Sequence, residues 1–190
     1  MASVGQTEKL MTIEAYAALP PSNVPTELVK GRVVEVNVPR QRHGEVCAAI
    51  TAIVRGYVRQ HGLGRVMSND AGVITRRNPD TLRGADVAYY SYHRVPQGEI
   101  DARIYLEAKP EVVFEVRSPD DRNAQILEKV AEYLQAGVLC VCVFDPLRRT
   151  VHIYEDNADV PVKILDGDSE LRLPQIHDEF CAAVADFFDD

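Results

Sequence analysis

Residues 111–117 read Glu-Val-Val-Phe-Glu-Val-Arg, and this stretch decides the fold. Its strict alternation predicts a β-strand, because successive side chains of a strand point to opposite faces. One face carries Val112, Phe114 and Val116, and the other carries Glu111, Val113, Glu115 and Arg117. Any half-buried strand alternates in this way. Here, however, the following segment, 118–121, turns directly into a predicted helix that carries Lys129.

The segments after this strand complete a strand, helix, strand unit. Apolar residues at helical spacing predict a helix over 122–136, closed by Gly137, and the continuously apolar run 138–144 predicts a central strand. Such a unit requires a right-handed crossover and a parallel strand pair. Elsewhere the patterns predict helices at 12–19, 43–60 and 178–188, a strand pair near 27–38, and strands at 71–76, 86–90, 150–155 and 161–165. The sequence therefore predicts an α/β fold with a mixed central sheet flanked by helices.

Length and composition indicate one domain. The chain has 190 residues, of which 46% are hydrophobic and 26% charged, and 1–10 is expected to be a flexible N-terminal segment. No apolar run approaches the ~18 residues of a membrane span, and the start lacks the features of a secretion signal, so a cytoplasmic location is expected. The four cysteines form neither a disulfide framework nor a zinc motif, and core packing is the expected role for most of them.

The formal net charge of −8 argues against tight, indiscriminate binding to nucleic acid, because neutralising phosphates requires many cations. A local basic patch would suffice for a nucleic-acid enzyme. Arg76, Arg77 and Arg83 precede Asp86 and are candidates for that patch. The alternative is a solvated turn around Asn78-Pro79-Asp80.

Two acids and one basic group are the candidate catalytic residues. Asp86 and Glu115 lie on neighbouring predicted strands, and Lys129 lies at the edge of the apolar stripe of the following helix. Hard carboxylate oxygens suit Mg²⁺ or Mn²⁺, and an ion of this kind activates water for phosphodiester cleavage. The alternative role for Lys129 is a side chain that covers the core while its ammonium group stays in solvent.

Several short sequence motifs, which occur in a fixed order, indicate a family resemblance. They include Ala85-Asp86-Val87, Pro110-Glu-Val-Val-Phe-Glu-Val-Arg-Ser-Pro119 and Lys129-Val-Ala-Glu-Tyr133, preceded by segments that contain Glu27 and His43. In this the chain resembles the PD-(D/E)XK nuclease superfamily, and more closely its Uma-two branch of restriction-endonuclease-like proteins, a bacterial family. The resemblance covers most of the chain and implies a restriction endonuclease-like core.

The resemblance also implies roles for individual residues. Asp86, Glu115 and the carbonyl of Val116 would ligate Mg²⁺ (or Mn²⁺), and Lys129 would orient or deprotonate the attacking water. Arg117 stands where the superfamily has a lysine, and it could clamp a phosphate but not act as a base, because arginine keeps its proton. Glu27 and His43 are possible accessory residues. The expected partner is nucleic acid, DNA before RNA, with a homodimer as the expected assembly.

Several alternatives stay open at this level. The chain could be a catalytically inactive nuclease-like module that binds nucleic acid or protein, and a two-carboxylate glycoside hydrolase is a more distant reading because the chain has no Trp. His43 could be a helix-start or core residue. Asp120 and Asp121 are expected to cap the helix that follows them, and Glu111 is expected to lie roughly 13 Å from Glu115, outside the site.

Overall fold

The computed structural model describes residues 10–119, 122–156 and 159–189. The expected flexible segment 1–10 therefore lies outside the described residues, except for its last position. The helices are α1 Ile13–Ala17, α2 Gln41–Gln60, α3 Asn123–Gln135 and a 3₁₀ helix, Ala185–Phe187. The strands are β1 Thr26–Val29, β2 Arg32–Glu35, β3 Gly64–Arg76, β4 Thr81–Ser91, β5 Val112–Val116, β6 Cys140–Asp145, β7 Thr150–Tyr154, β8 Lys163–Leu165, β9 Glu170–Arg172 and β10 Cys181–Ala183.

Eight strands form one mixed sheet in the order β2-β1-β4-β5-β6-β7-β8, with β3 paired to β4. The β5–β6 pair is parallel and is connected through α3, whereas the other pairs in this sheet are antiparallel. This arrangement confirms the predicted α/β class, the mixed sheet and the parallel pair. In the described ranges, no helix is both long enough and apolar enough to cross a membrane.

The alternation of β5 divides its side chains between two buried layers. Val112, Phe114 and Val116 pack in the layer that includes α2, and Val113 packs in the layer that includes α3. Every residue of the strand is buried, Glu115 included. The predicted two faces are therefore correct, but both face protein, and the carboxylate of Glu115 enters a buried environment.

One edge of β4 is shared by two strands that separate from each other. Near its start β4 pairs with β1 through Leu28 and Leu82, and further along it pairs with β5 from Val87 to Tyr89. The opposite edge of β4 is occupied by β3 in both places. Residues 83–86 consequently face a gap between β1 and β5, and we call this opening the β4 gap.

The predicted terminal helix over 178–188 is wrong. Cys181–Ala183 is a strand that pairs with Glu170–Arg172, and a single turn of 3₁₀ helix follows it. Phe180, Ala182 and Val184 are buried at every second position, which is strand periodicity. Apolar Phe187 and Phe188 extend the pattern and suggest a longer helix than the segment forms.

The cysteines are free thiols, and Cys140 and Cys142 are buried in the core as expected. Cys181, expected in the terminal helix, lies in the short β10 strand instead. The predicted strands at 71–76 and 86–90 are both longer in the structure, because 64–68 pairs with 87–91 and 81–85 pairs with 71–76.

Replacing a large buried side chain on β5 by alanine tests this packing. We expect Phe114→Ala to lower the free energy of unfolding by about 3–5 kcal/mol, because the ring is fully buried against Phe144 and leaves a cavity. Urea unfolding followed by circular dichroism measures the change. The matched control is Leu147→Ala at a side chain that is 75% exposed, which should change stability by no more than about 0.5 kcal/mol. Equal losses in both variants would contradict the described core.

Candidate active site

A bulge in β3 positions Asp86. The register between β3 and β4 shifts between Ser68 and Ala71, where two residues, Asn69 and Asp70, stand opposite Asp86 and have φ of +67° and +55°. Asp86 lies opposite this irregularity. Bulges re-aim neighbouring side chains, and here the carboxylate reaches the end of β5 and the start of α2.

The contacts of Asp86 join three elements. Its Oδ2 accepts a hydrogen bond from the backbone N–H of Val116 at 2.6 Å. The same oxygen lies 3.3 Å from Nε2 of His43, whose Nδ1 is 3.4 Å from Sγ of Cys47. His43 therefore contacts a predicted site residue directly, although its position in the first turn of α2 is also that of a helix-start residue.

Glu115 is held by two side chains from α3. The hydroxyl of Tyr133 donates a hydrogen bond to Oε1 at 2.8 Å, and Nζ of Lys129 lies 3.5 Å from Oε2. These two α3 residues are four positions apart and therefore lie on the same face of the helix. Lys129 thus reaches the carboxylate from the helix, as the resemblance implies.

Glu27 completes the group from the other side of the β4 gap. Its Oε1 lies 3.0 Å from Nζ of Lys129 and accepts the N–H of Gly84 at 3.1 Å, while its Oε2 binds Arg83 at 2.8 Å. Lys129 also donates to the carbonyl of Gly84. A Cβ at position 84 would lie 3.0 Å from the Cβ of Asp70, so glycine permits the close approach of the β3 bulge.

Burial and mutual repulsion shift the pKa values of these acids. Burial raises the pKa of Glu115 to about 7, because the nearby Lys129 offsets only part of the cost and Asp86 adds repulsion. Partial burial and the charge of Asp86 raise the pKa of Asp70, which sits more exposed at the rim. Burial disfavours the charge on Glu27, but Lys129 and Arg83 outweigh burial and lower its pKa.

The pKa of Lys129 moves in the direction opposite to the one a general base requires. Burial alone would lower it, but the carboxylates of Glu115 and Glu27 outweigh burial and raise the pKa above its ordinary value. The ammonium group is therefore protonated near neutral pH. It can donate hydrogen bonds and neutralise charge, whereas removing a proton from water would first require a change in its surroundings.

The donor atoms near Asp86 are of the chemical type that a divalent cation prefers, although the ligand atoms of Glu27, Asp86 and Glu115 do not all lie within 4.8 Å of one another. Three carboxylates, those of Glu27, Asp86 and Glu115, are buried in this region, and burial, with a smaller contribution from Asp86, raises the pKa of Glu115 despite the nearby Lys129. A cation would favour the charged form of these acids, and hard oxygen donors suit Mg²⁺ or Mn²⁺.

A second set of potential ligands shares Asp86. Among the described residues, His43, Cys47 and Asp86 place one ligand atom each within 4.8 Å of the others. Burial and nearby carboxylates strongly raise the pKa of Cys47, which disfavours the thiolate form that binds metals.

The arginines named from the sequence differ in their partners. Arg117 lies beyond the end of β5, where it contacts Asp145 and donates to Asn123, and its role as a phosphate clamp stays a prediction. Arg83 is buried between Glu27 and Glu132. Arg77 is paired with Glu14, Asp80 and Glu107. Arg83 thus forms its ion pairs inside the protein and Arg77 forms its ion pairs at the surface, which leaves Arg76 as the exposed arginine of this segment without an ion pair in the described ranges.

Glu111, Val116 and the two acids before α3 were also named from the sequence. Glu111 accepts hydrogen bonds from the N–H and hydroxyl of Ser91, outside the site as expected. Val116 contacts Asp86 through its N–H, so its carbonyl as a metal ligand stays a prediction. Asp120 and Asp121, the expected helix caps, lie outside the described residues.

The sequence did not predict that Asp70 and Tyr133 belong to this site. It also did not predict that Arg83 has a structural role there. The consecutive Asn69-Asp70 inside an otherwise strand-like segment is a signal for a bulge, because these residues tolerate positive φ. Tyr133 follows Lys129 by four positions, which is the spacing of neighbours on a helix face. No sequence signal predicts that Arg83 is buried.

The fold and site define a nuclease-like protein, and comparison with known proteins agrees. A family model described as "Uma2: Putative restriction endonuclease" matches residues 13–185, and the chain belongs to this family. A crystal structure titled as a "putative nuclease belonging to DUF820" from Anabaena variabilis ATCC 29413 is similar at 20% identity and a TM-score of 0.79. The match covers 94% of this chain and 97% of that one, and at this identity it shows the fold alone. No curated protein matches the chain.

The burial of Glu115 predicts that the stability of the folded chain depends on pH. Its pKa of about 7 in the folded chain lies above the ordinary value of 4.5, so the folded state binds this proton more tightly than the unfolded state does. Glu115 therefore favours folding at low pH and opposes it increasingly as the pH rises from about 4.5 through about 7, by up to about 3 kcal/mol. We expect Glu115→Gln to gain stability relative to the unaltered chain between pH 5 and pH 8, measured by urea unfolding with a chelator present.

The control for this pH series is Glu99→Gln, which removes a carboxylate from an exposed position. Its stability relative to the unaltered chain should not follow the trend of Glu115→Gln. A stability difference for Glu115→Gln that is the same at both pH values would contradict the perturbed environment of this carboxylate.

Proposed function

We propose that this chain is a Mg²⁺- or Mn²⁺-dependent endonuclease that hydrolyses phosphodiester bonds of nucleic acid, with DNA as the substrate. The single observation that carries the proposal is the convergence of Asp86, Glu115 and Lys129 at the β4 gap from three different elements. Family membership supports the same class of activity. A glycoside hydrolase would need its acids exposed to a sugar-binding cleft, whereas Glu115 is buried and hydrogen-bonded to Tyr133.

In this proposal Asp86 and Glu115 hold the ion, helped by the carbonyl of Val116. When bound, a divalent cation polarises the phosphate and lowers the pKa of a coordinated water. The hydrogen bonds from Val116 N–H to Asp86 and from Tyr133 to Glu115 fix the orientation of the two carboxylates. Such supporting partners preserve the geometry on which a metal site depends.

Lys129 then acts as the positively charged partner of the phosphate. Glu27 and Glu115 hold its ammonium group from two sides, and its side chain remains 25% exposed, so it is accessible to a substrate. Protonated Lys129 orients the attacking water and neutralises charge that develops on the phosphate. Glu27 is accordingly a positioning residue, and His43 holds Asp86.

The competing candidate is a nuclease-like binding module without catalysis. The observation that favours it is the set of ion pairs that already engage Lys129, together with the net charge of −8. A module that only binds has no need for an unbalanced group of buried acids, and we therefore place hydrolysis first. Direct cleavage assays separate the two.

Catalysis is tested with supercoiled plasmid and with labelled single-stranded DNA and RNA, in Mg²⁺ or Mn²⁺. We expect the unaltered chain to cut, and Glu115→Gln and Lys129→Met to slow cutting by at least about 100-fold, because each removes a group that acts on the reacting phosphate or water. Lys163→Met, at an exposed lysine on β8, is the control and should retain the full rate. Absence of cutting by the unaltered chain on every substrate would favour the binding module.

Metal binding is tested separately by calorimetry with Mn²⁺. We expect Asp86→Asn and Glu115→Gln each to weaken binding by at least about 10-fold, since each replaces an anionic ligand by a neutral one. Glu99→Gln serves as the control. A chelator should abolish cleavage, and added Mn²⁺ should restore it. Equal Mn²⁺ affinity in the variants and the unaltered chain would remove the two carboxylates from the metal site.

A homodimer is the expected assembly, because two active sites can each take one of the two strands that separate in an opened duplex. The chain mass is 21.2 kDa, so light scattering at micromolar concentration should give about twice that value. A monomeric mass would contradict the dimer and leave the site itself unaffected.

A further inference from the structure

A groove runs along α2 and opens at the candidate site. The cavity has a volume of about 620 Å³, and its lining includes His43 and Asp86 at one end and Arg55 and Arg59 at the other. Its floor is formed by small residues that recur every four positions on one helix face, namely Gly44, Ala48, Ala52 and Gly56. The polar rim opposite this floor is the β3 bulge, including Asn69 and Asp70.

Arg55 and Arg59 differ from most arginines of the protein. Both are exposed, and neither guanidinium group forms an ion pair or hydrogen bond in the part of the chain that the structure describes. By contrast, Arg77 and Arg83 are paired with carboxylates. In a chain with a net charge of −8, two unpaired cations in the groove that leads to the candidate site mark a binding surface for anions.

The groove continues past the two arginines. A second cavity of about 360 Å³ shares Arg55 and Arg59 with the first and adds Arg65 and Tyr92. The guanidinium of Arg65 lies over the ring of Tyr92, 5.9 Å from its centroid. Along α2, the groove is therefore lined first by acids and His43, then by the two unpaired arginines, and then by Tyr92 with Arg65.

We propose that this groove binds one extended, unpaired strand of nucleic acid on its way to the candidate site. Phosphates contact Arg55 and Arg59, and a base stacks on the Tyr92 surface. Cationic grooves that end in aromatic surfaces are typical of single-strand binding, because a base must leave the duplex before its face can stack on a side chain. This inference rests on the proposed function and adds the path and the strandedness of the substrate.

Helix geometry fixes the scale of the contact. With a rise of 1.5 Å per residue, Arg55 lies about 18 Å along α2 from His43, and Arg59 about 6 Å beyond it. The small side chains between them leave the helix surface open to the sugar-phosphate backbone. A strand that reaches both arginines must therefore extend several nucleotides beyond the bond to be cut, so very short oligonucleotides should bind weakly.

Fluorescence anisotropy with a labelled oligothymidine of about 12 nucleotides, a length within the range of single-strand sites, tests the proposal. The buffer contains a chelator, so binding is measured without hydrolysis. We expect Arg55→Glu/Arg59→Glu to weaken binding at least about 10-fold, and Arg55→Ala/Arg59→Ala to reduce the slope of log K against log salt by about 1.4, or about 0.7 for each lost phosphate contact. Tyr92→Ala should weaken binding by at least about fivefold.

The matched control is Arg103→Glu/Lys163→Glu, which makes the same change in net charge at two exposed positions outside the groove. It should leave affinity within about twofold, because interactions beyond a Debye length are screened. Equal weakening in the groove and control variants would overturn the proposal, since overall charge alone would then explain binding. Thermal melting by circular dichroism confirms that each variant is folded.

A duplex of the same length distinguishes the two kinds of substrate. Preference for the single strand supports the proposal, and equal or tighter binding of the duplex overturns the claim of an unpaired strand. Because these measurements need no metal and no turnover, they do not depend on the cleavage assay. Binding in the groove without cleavage would contradict the proposed hydrolysis alone, whereas cleavage that is unaffected by the groove variants would contradict this inference alone.

Discussion

Three carboxylates buried at the β4 gap are the constraint on which the site depends. Glu27, Asp86 and Glu115 come from three strands, and taking their charges out of water is costly unless cations or hydrogen-bond donors compensate. Arg83 and Lys129 supply part of that compensation, and backbone N–H groups supply more. The compensation is incomplete at Glu115, where burial, with a smaller contribution from Asp86, raises the pKa of the carboxyl group. A divalent cation is the natural complement of such an environment.

The sheet creates this environment by dividing one strand edge. β1 and β5 both pair with the same edge of β4 but separate from each other, so the backbone between their pairing regions is open to side chains. Gly84 lies in this interval, and Glu27 and Lys129 bind its N–H and carbonyl. The β3 bulge on the opposite edge directs Asp86 toward α2. The residues of the proposed site are thus held by strands and helices, which position them more rigidly than loops do.

The cation beside Glu115 comes from helix α3 and not from strand β5. The strand position two residues after Glu115 is occupied by Arg117, which lies past the strand end and pairs with Asp145. Lys129 reaches the carboxylate of Glu115 from α3, and Tyr133 on the same helix face donates a hydrogen bond that fixes this carboxylate. Helix α3 therefore supplies both the cation and the orienting hydroxyl.

Much of this could be predicted from local patterns, and the remainder depended on long-range pairing. The alternation of 111–117, the helix after it and the apolar run 138–144 predict the parallel unit because each signal is local and strong. The C-terminal segment failed, because its clustered phenylalanines fit helical and strand spacing equally well until the pairing with 170–172 is known. Asp86, Glu115 and Lys129 could be named from the sequence, whereas the partners of Arg77 and Arg83 depend on contacts between distant residues.

The most direct test of the central claim is anomalous scattering from crystals soaked in Mn²⁺. We predict an anomalous peak that contacts the carboxylates of both Asp86 and Glu115 at the β4 gap, with Lys129 beside it. A peak bound only by His43 and Cys47, or no peak at a concentration that supports cleavage, would contradict the account of the buried carboxylates as the metal site.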